Sequence, residues 1–103
     1  MIRAVFYKKN NRFYGFELNG HANYADFGKD IVCSAVSAVA VGGINAILNI
    51  DDFDVKIENG DVYCVNKSVL CEHDSVVIDI IFIQLKTIQD KYEKNLTIEE
   101  RME

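Results

Sequence analysis

Two runs of aromatic and β-branched residues open the chain, IRAVFYK and RFYGFEL, with polar residues interleaved and a polar break from Lys8 to Asn11 between them. Side chains of this kind fit the pleated surface of a strand, and the break has the chemistry of a hairpin turn. The pattern predicts strands at about residues 2–8 and 12–19. A polar, glycine-punctuated connection from Gly20 to Lys29 follows. The chain then becomes apolar and uncharged for twenty residues, Ile31 to Ile50, which predicts a helix over about 31–50. Its valines and the adjacent Gly42 and Gly43 lower intrinsic helix propensity, so packing must hold it. In FDVKIENGDVYCV, Phe53, Val55 and Ile57 alternate with charged residues up to Asn59-Gly60. This is a tight-hairpin signal, with strands near 53–59 and 61–66. Asp74 or Ser75 is positioned to cap a last helix, in which Val77, Ile81, Leu85, Ile88 and Tyr92 recur at three- and four-residue steps. The polar tail TIEERME is expected to fray.

The resulting order is β-β-α-β-β-α, an α+β architecture in which two helices cover one face of a mainly antiparallel sheet made of two hairpins. At 103 residues, half of them hydrophobic, the chain suits a single domain spanning residues 1–103 with one core. The uncharged stretch is long enough for a membrane span. Ser34, Ser37, Asn45 and Asn49 interrupt it, however, and its flanks carry no cationic cluster, so a buried core helix is the better reading. Eleven basic residues against sixteen acidic ones give a net charge of -5. That balance argues against a general nucleic-acid binder, which needs a basic stripe to displace phosphate counterions. It leaves room for a positively charged protein or peptide partner. Met1 to Lys8 reads as the start of a strand and not as a signal peptide, which makes a cytosolic location the expectation.

Chemistry concentrates in GHANYADFGKDIVCSAVSAV, residues 20–39. Asp30 is a good N-cap candidate and places Cys33 at about the third helical position. A thiol there lies near first-turn amides and the positive end of the helix dipole, which favour the nucleophilic thiolate. The loop between them is long enough to bring His21 back to the helix start. An imidazole beside the sulfur could take the thiol proton as general base and return it to a leaving amine as general acid. Ser37, four residues after Cys33, shares its helix face, and free amides at the helix start could stabilise an oxyanion. Each residue also has a plainer reading. Cysteines in apolar helices are commonly inert core residues, Asp30 is sufficiently explained as a cap, and Ser37 could bond a backbone carbonyl of the preceding turn. His73 fits the surface at a helix start, and Cys64 and Cys71 fit strand or core positions. The three cysteines form no C-x-x-C pair and never gather with the two histidines at ligand spacing. Neither a disulfide framework nor a metal site is therefore indicated, and no cofactor is expected.

The same twenty residues resemble the signature of the ribosomal-processing cysteine protease family called Prp. The shared elements are Gly20, His21 and Ala22, then Gly28, then Asp30, Ile31, Val32, Cys33, Ala35 and Ser37. The resemblance implies a cysteine endopeptidase with Cys33 as nucleophile and His21 as base. Gly20, Asp30 and Ser37 become supporting residues, and the loop holding Ala22, Phe27 and Gly28 becomes a substrate contact. It further implies removal of the N-terminal extension of large-subunit ribosomal protein twenty-seven after an aromatic residue, by a homodimer that needs no membrane and no direct nucleic-acid contact. The competing function is a non-enzymatic ribosome-associated assembly or binding protein in which Cys33 is packing. A third is a small thiol transferase acting on small acyl donors. Thiol reactivity separates the first two.

Overall fold

A computed structural model describes residues 1–26 and 28–102. Strands β1 (Ile2–Lys9) and β2 (Arg12–Asn19) form the first hairpin, and helix α1 covers Ile31–Asn45. Strands β3 (Phe53–Glu58) and β4 (Asp61–Asn66) form the second hairpin, followed by helix α2 (Glu72–Lys91) and strand β5 (Leu96–Met102). The sheet order is β3-β4-β2-β1-β5, antiparallel except for the parallel β1–β5 pair. The α+β architecture and the six elements read from the sequence are present, with a fifth strand added.

That strand corrects the expectation of a frayed tail. Leu96 is fully buried, Ile98 packs against the core, and the residues between and beyond them face outward. Burying a leucine contributes about 1.5–3 kcal/mol, enough to dock a short edge strand once its backbone pairs with β1. Pairing also removes β1 from the exposed edge of the sheet.

Alternation in the strands divides the sheet into two faces. Ala4, Phe6, Phe16, Leu18, Val62 and Cys64 point to the helix side and join Val32, Val36, Ala40 and Ile44 of α1 and Ile78, Ile81 and Leu85 of α2 in one core. Phe6 anchors it, stacked on Phe16 with ring centroids 5.3 Å apart and edge-on to Phe82 at 5.1 Å. The helices cross closely at Gly43, where an added Cβ would lie 2.4 Å from Ile81 Cδ1. The glycine pair that weakens α1 as an isolated helix is thus what lets α2 approach it.

Two helix boundaries differ from the sequence pattern, and Asp74 is involved in both. Helix α1 ends at Asn45, not near residue 50. Its last turn tightens through Ala46 N–H to Gly43 O and Ile47 N–H to Ile44 O. The next two amides, of Leu48 and Asn49, donate to the Asp74 carboxylate at 2.8 and 3.1 Å instead of continuing the helix. Helix α2 starts at Glu72 with Cys71 at the N-cap, so neither Asp74 nor Ser75 is the cap. Asp74, 1% exposed, spends its carboxylate on the other segment. No helix among the described residues is long and apolar enough to cross a membrane.

Candidate active site

Asp30 sits at the N-cap of α1 with extended backbone and accepts from Val32 N–H and Cys33 N–H, both at 3.0 Å through Oδ1. Cys33 is therefore the third helical residue, as the sequence predicts. The other oxygen, Oδ2, accepts from Tyr24 N–H at 2.9 Å and Ala25 N–H at 3.3 Å. One carboxylate thus ties the 20–30 loop to the helix start. Burial pushes the Asp30 carboxyl up, but the amides of Cys33, Tyr24, Ala25 and Val32 outweigh it and hold the group below the ordinary carboxylate range. Asp30 is a cap, and it is also the clasp of the loop.

This arrangement narrows one expectation. The amides of Val32 and Cys33 are occupied by Asp30, and Ser34 N–H donates to Asp30 O at 3.1 Å, so these three are not free for an oxyanion. A different amide faces the sulfur: Ala22 N–H lies 3.2 Å from Cys33 Sγ, short for a bond to sulfur. Cys33 itself is half-buried.

His21 precedes that amide and is exposed. Its ring rests on the β3–β4 turn, where a Cβ at Gly60 would lie 2.8 Å from Nε2. Gly60 has φ of +77°, so glycine serves the turn geometry and leaves the imidazole its place. Gly20 N–H donates to Gly60 O at 2.9 Å, fastening the loop to the hairpin. Gly20, with φ of +99°, passes so close to the first residue that a Cβ would lie 2.4 Å from Met1 O.

A cavity of about 570 Å³ opens between the loop, the start of α1 and the β3–β4 turn. Gly20, His21, Gly28, Asp30, Cys33 and Ser37 all line it, so it brings together every supporting and catalytic candidate named from the sequence. Among the proposed substrate contacts the outcome is mixed. Gly28 reaches the cavity. Ala22 is 1% exposed in the core and offers its backbone to Cys33. Phe27 lies outside the described residues. Ile57, Glu58 and Asn59 form a wall that sequence reading did not assign to the site; the Asn59-Gly60 turn was legible, its position over His21 was not. Glu58 and Asp61 are bridged by Lys56 at 3.7 and 2.8 Å, so much of the negative charge on this wall is neutralised locally.

The other thiols sit elsewhere. Cys64 is buried in β4, where burial, followed by the Asp74 charge, pushes its thiol up to about 12. Cys71 is half-buried at the N-cap of α2, beside the Asp74 carboxylate. His73 keeps a half-exposed ring at the start of α2, its Nδ1 3.0 Å from Asp74 Oδ1, in agreement with a surface role.

Comparison with known proteins matches this architecture. The ribosomal processing cysteine protease Prp of Bacillus subtilis is 30% identical over 107 residues, covering 95% of this chain and 96% of that protein. Its Mycoplasma genitalium counterpart is 34% identical over 83 residues, covering 79% and 82% respectively. The ribosomal processing protease Prp from S. aureus, solved in complex with a covalently linked product peptide, shares the fold with a TM-score of 0.89 at 23% identity, over 98% of this chain and 100% of that one. The family model for the cysteine protease Prp matches residues 1–97, and the chain belongs to that family.

Proposed function

We propose that this protein is the endopeptidase that removes the N-terminal leader of large-subunit ribosomal protein twenty-seven, with Cys33 as nucleophile and His21 as general base. The observation that carries the reading is the convergence of both side chains on one cavity, with Ala22 N–H pointed at the sulfur.

In this mechanism His21 accepts the Cys33 proton while Sγ attacks the scissile carbonyl carbon. The tetrahedral intermediate collapses as the C–N bond breaks, and His21 delivers its proton to the departing amine. The N-terminal fragment remains as a thioester on Cys33. Water, deprotonated by His21, then attacks the thioester carbonyl and releases a carboxylic acid and the free thiol. Ser37, which lines the cavity one helical turn beyond Cys33, would bond the peptide. Ile2, Leu18, Val36, Val41 and Val62 give the cavity an apolar lining suited to an aromatic side chain before the cut. The same reading takes the protein to act in the cytosol as a homodimer, the homodimer being what the family resemblance implies.

Selective alkylation tests the nucleophile. Near neutral pH, iodoacetamide is expected to label Cys33 at least about tenfold faster than Cys64 and Cys71, because only the thiolate reacts. Cys64 is buried with its thiol pushed up to about 12, and Cys71 lies at the start of α2, outside the cavity that holds His21. Peptide mapping by mass spectrometry gives the order. Equal labelling of Cys33 and Cys71 would favour a packing role for Cys33 and a binding role for the protein.

A further inference from the structure

With the Val32 and Cys33 amides taken by Asp30, the donor seen on the Cys33 sulfur is Ala22 N–H, and the orientation of Ala22 is fixed from a distant part of the chain. Ala22 O accepts from Asn95 Nδ2 at 2.9 Å, across 73 residues of sequence. Asn95 belongs to the turn between α2 and β5. Its own backbone is set twice: Asn95 O accepts from Ile2 N–H, and Asn95 N–H donates to Tyr92 O, each at 2.9 Å. The same turn meets the loop again through Tyr92, whose ring stands edge-on to Tyr24 at 5.3 Å. The loop is thus held from two sides, by Asp30 at the helix and by the 92–95 turn opposite.

Resting on the reading of Cys33 as nucleophile, we infer that Asn95 is a positioning residue for the proteolytic reaction, acting through Ala22 to keep an amide donor on the sulfur and His21 at the cavity. The peptide that carries the Ala22 N–H also joins Ala22 to His21, so rotation at Ala22 displaces both elements of the machinery together. A side-chain amide suits the task because it supplies a donor to Ala22 O without a charge beside the nucleophile. The backbone bonds of the 92–95 turn do not involve the Asn95 side chain, so the turn keeps its form when that side chain changes.

The test uses Asn95→Ala and Asn95→Asp in the full chain. The aspartate keeps the volume and, at neutral pH, removes the donor. Cys33 alkylation by iodoacetamide is followed by peptide mapping across pH, beside cleavage of a leader-spanning peptide and the thermal unfolding transition. Both variants are expected to retain cooperative unfolding. The rate of Cys33 alkylation near neutrality should fall about tenfold, the scale of a lost hydrogen bond to a charged group. Cys64 and Cys71 should react as before, and kcat should fall with KM nearly unchanged. A Cys33 profile superimposable on that of the unaltered protein overturns the inference, as does a slowing shared equally by all three thiols. Loss of folding in both variants would assign Asn95 a purely structural role and also overturn it. If the unaltered protein cleaves no leader peptide, the proteolytic reading fails, while the alkylation profiles still decide whether Asn95 acts on Cys33.

Discussion

Cys33→Ala is expected to abolish peptide cleavage, lowering kcat/KM by about 10⁴-fold or more, while leaving the fold intact. Loss of a nucleophile commonly costs this much because the remaining groups bind and polarise the substrate without being able to form the covalent intermediate. The fold should survive because Cys33 is half-buried at the edge of the core and lines an open cavity, where truncation exposes little new apolar surface. The Asp30 bond at this position goes to the backbone N–H, which alanine keeps. Ala22, 1% exposed, loses the sulfur acceptor of its N–H at a cost of about 1–3 kcal/mol, which lowers stability without abolishing the fold. Cleavage of a leader-spanning peptide, followed beside thermal unfolding, separates the two effects. Cleavage by a folded Cys33→Ala protein at more than a few per cent of the original rate would remove Cys33 from the mechanism.

The largest effect on stability is expected at Asp74, well away from the sulfur. Its carboxylate is buried and bonds the amides of Leu48 and Asn49, with Cys71 and His73 as further partners. Asp74→Ala would remove the charged acceptor that two backbone donors between α1 and β3 share, at a cost of about 3–4 kcal/mol. For a domain of this size that corresponds to a fall of roughly 10–20 °C in the unfolding midpoint. Asp74→Asn keeps one acceptor oxygen and should cost about half as much. The pH dependence has a defined sign. Burial pushes the Asp74 carboxyl up, but the bonds from His73, Leu48, Asn49 and Cys71 outweigh it, so the folded protein holds the group below its ordinary range. Its stabilisation is therefore fully present above the unfolded carboxylate range and is lost as pH falls through the lower folded value. Asp30 titrates in the same direction. Chemical denaturation should show stability declining in acid, with a shallower decline in Asp74→Ala. An identical acid limb in the variant would show that Asp74 does not carry the effect.

Much of the candidate site's segment was legible in the sequence because its geometry is local. A capping aspartate three residues before a cysteine fixes the sulfur in the first turn of α1, and a loop starting at Gly20 has length enough to bring His21 to the same cavity. What was not legible depends on contacts between segments far apart in the chain. Strand β5 reads as a polar tail because Leu96, Ile98 and the exposed Met102 are its only apolar residues; parallel pairing with β1, some ninety residues earlier, makes it a strand. The end of α1 was placed too late because nothing between Asn45 and Ile50 announces a carboxylate arriving from α2. Asn95 carries no motif at all, and its role emerges only where the 92–95 turn meets Ala22. The wall formed by Ile57 to Asn59 is a similar case: the hairpin was predicted, but sheet order β3-β4-β2 is needed to place its turn over the loop that follows β2.

The account requires a covalent intermediate on one sulfur, and intact-mass spectrometry after rapid acid quenching tests it most directly. Mixed in excess with a peptide spanning the leader junction, the protein should gain the mass of the N-terminal fragment in its acyl form, and digestion should place that gain on the peptide containing Cys33. The adduct should disappear with hydroxylamine, as a thioester does, and be absent from Cys33→Ala. Turnover of the peptide with no adduct at any quench time, or an adduct on Cys64 or Cys71 instead, would contradict the assignment of Cys33 as the nucleophile.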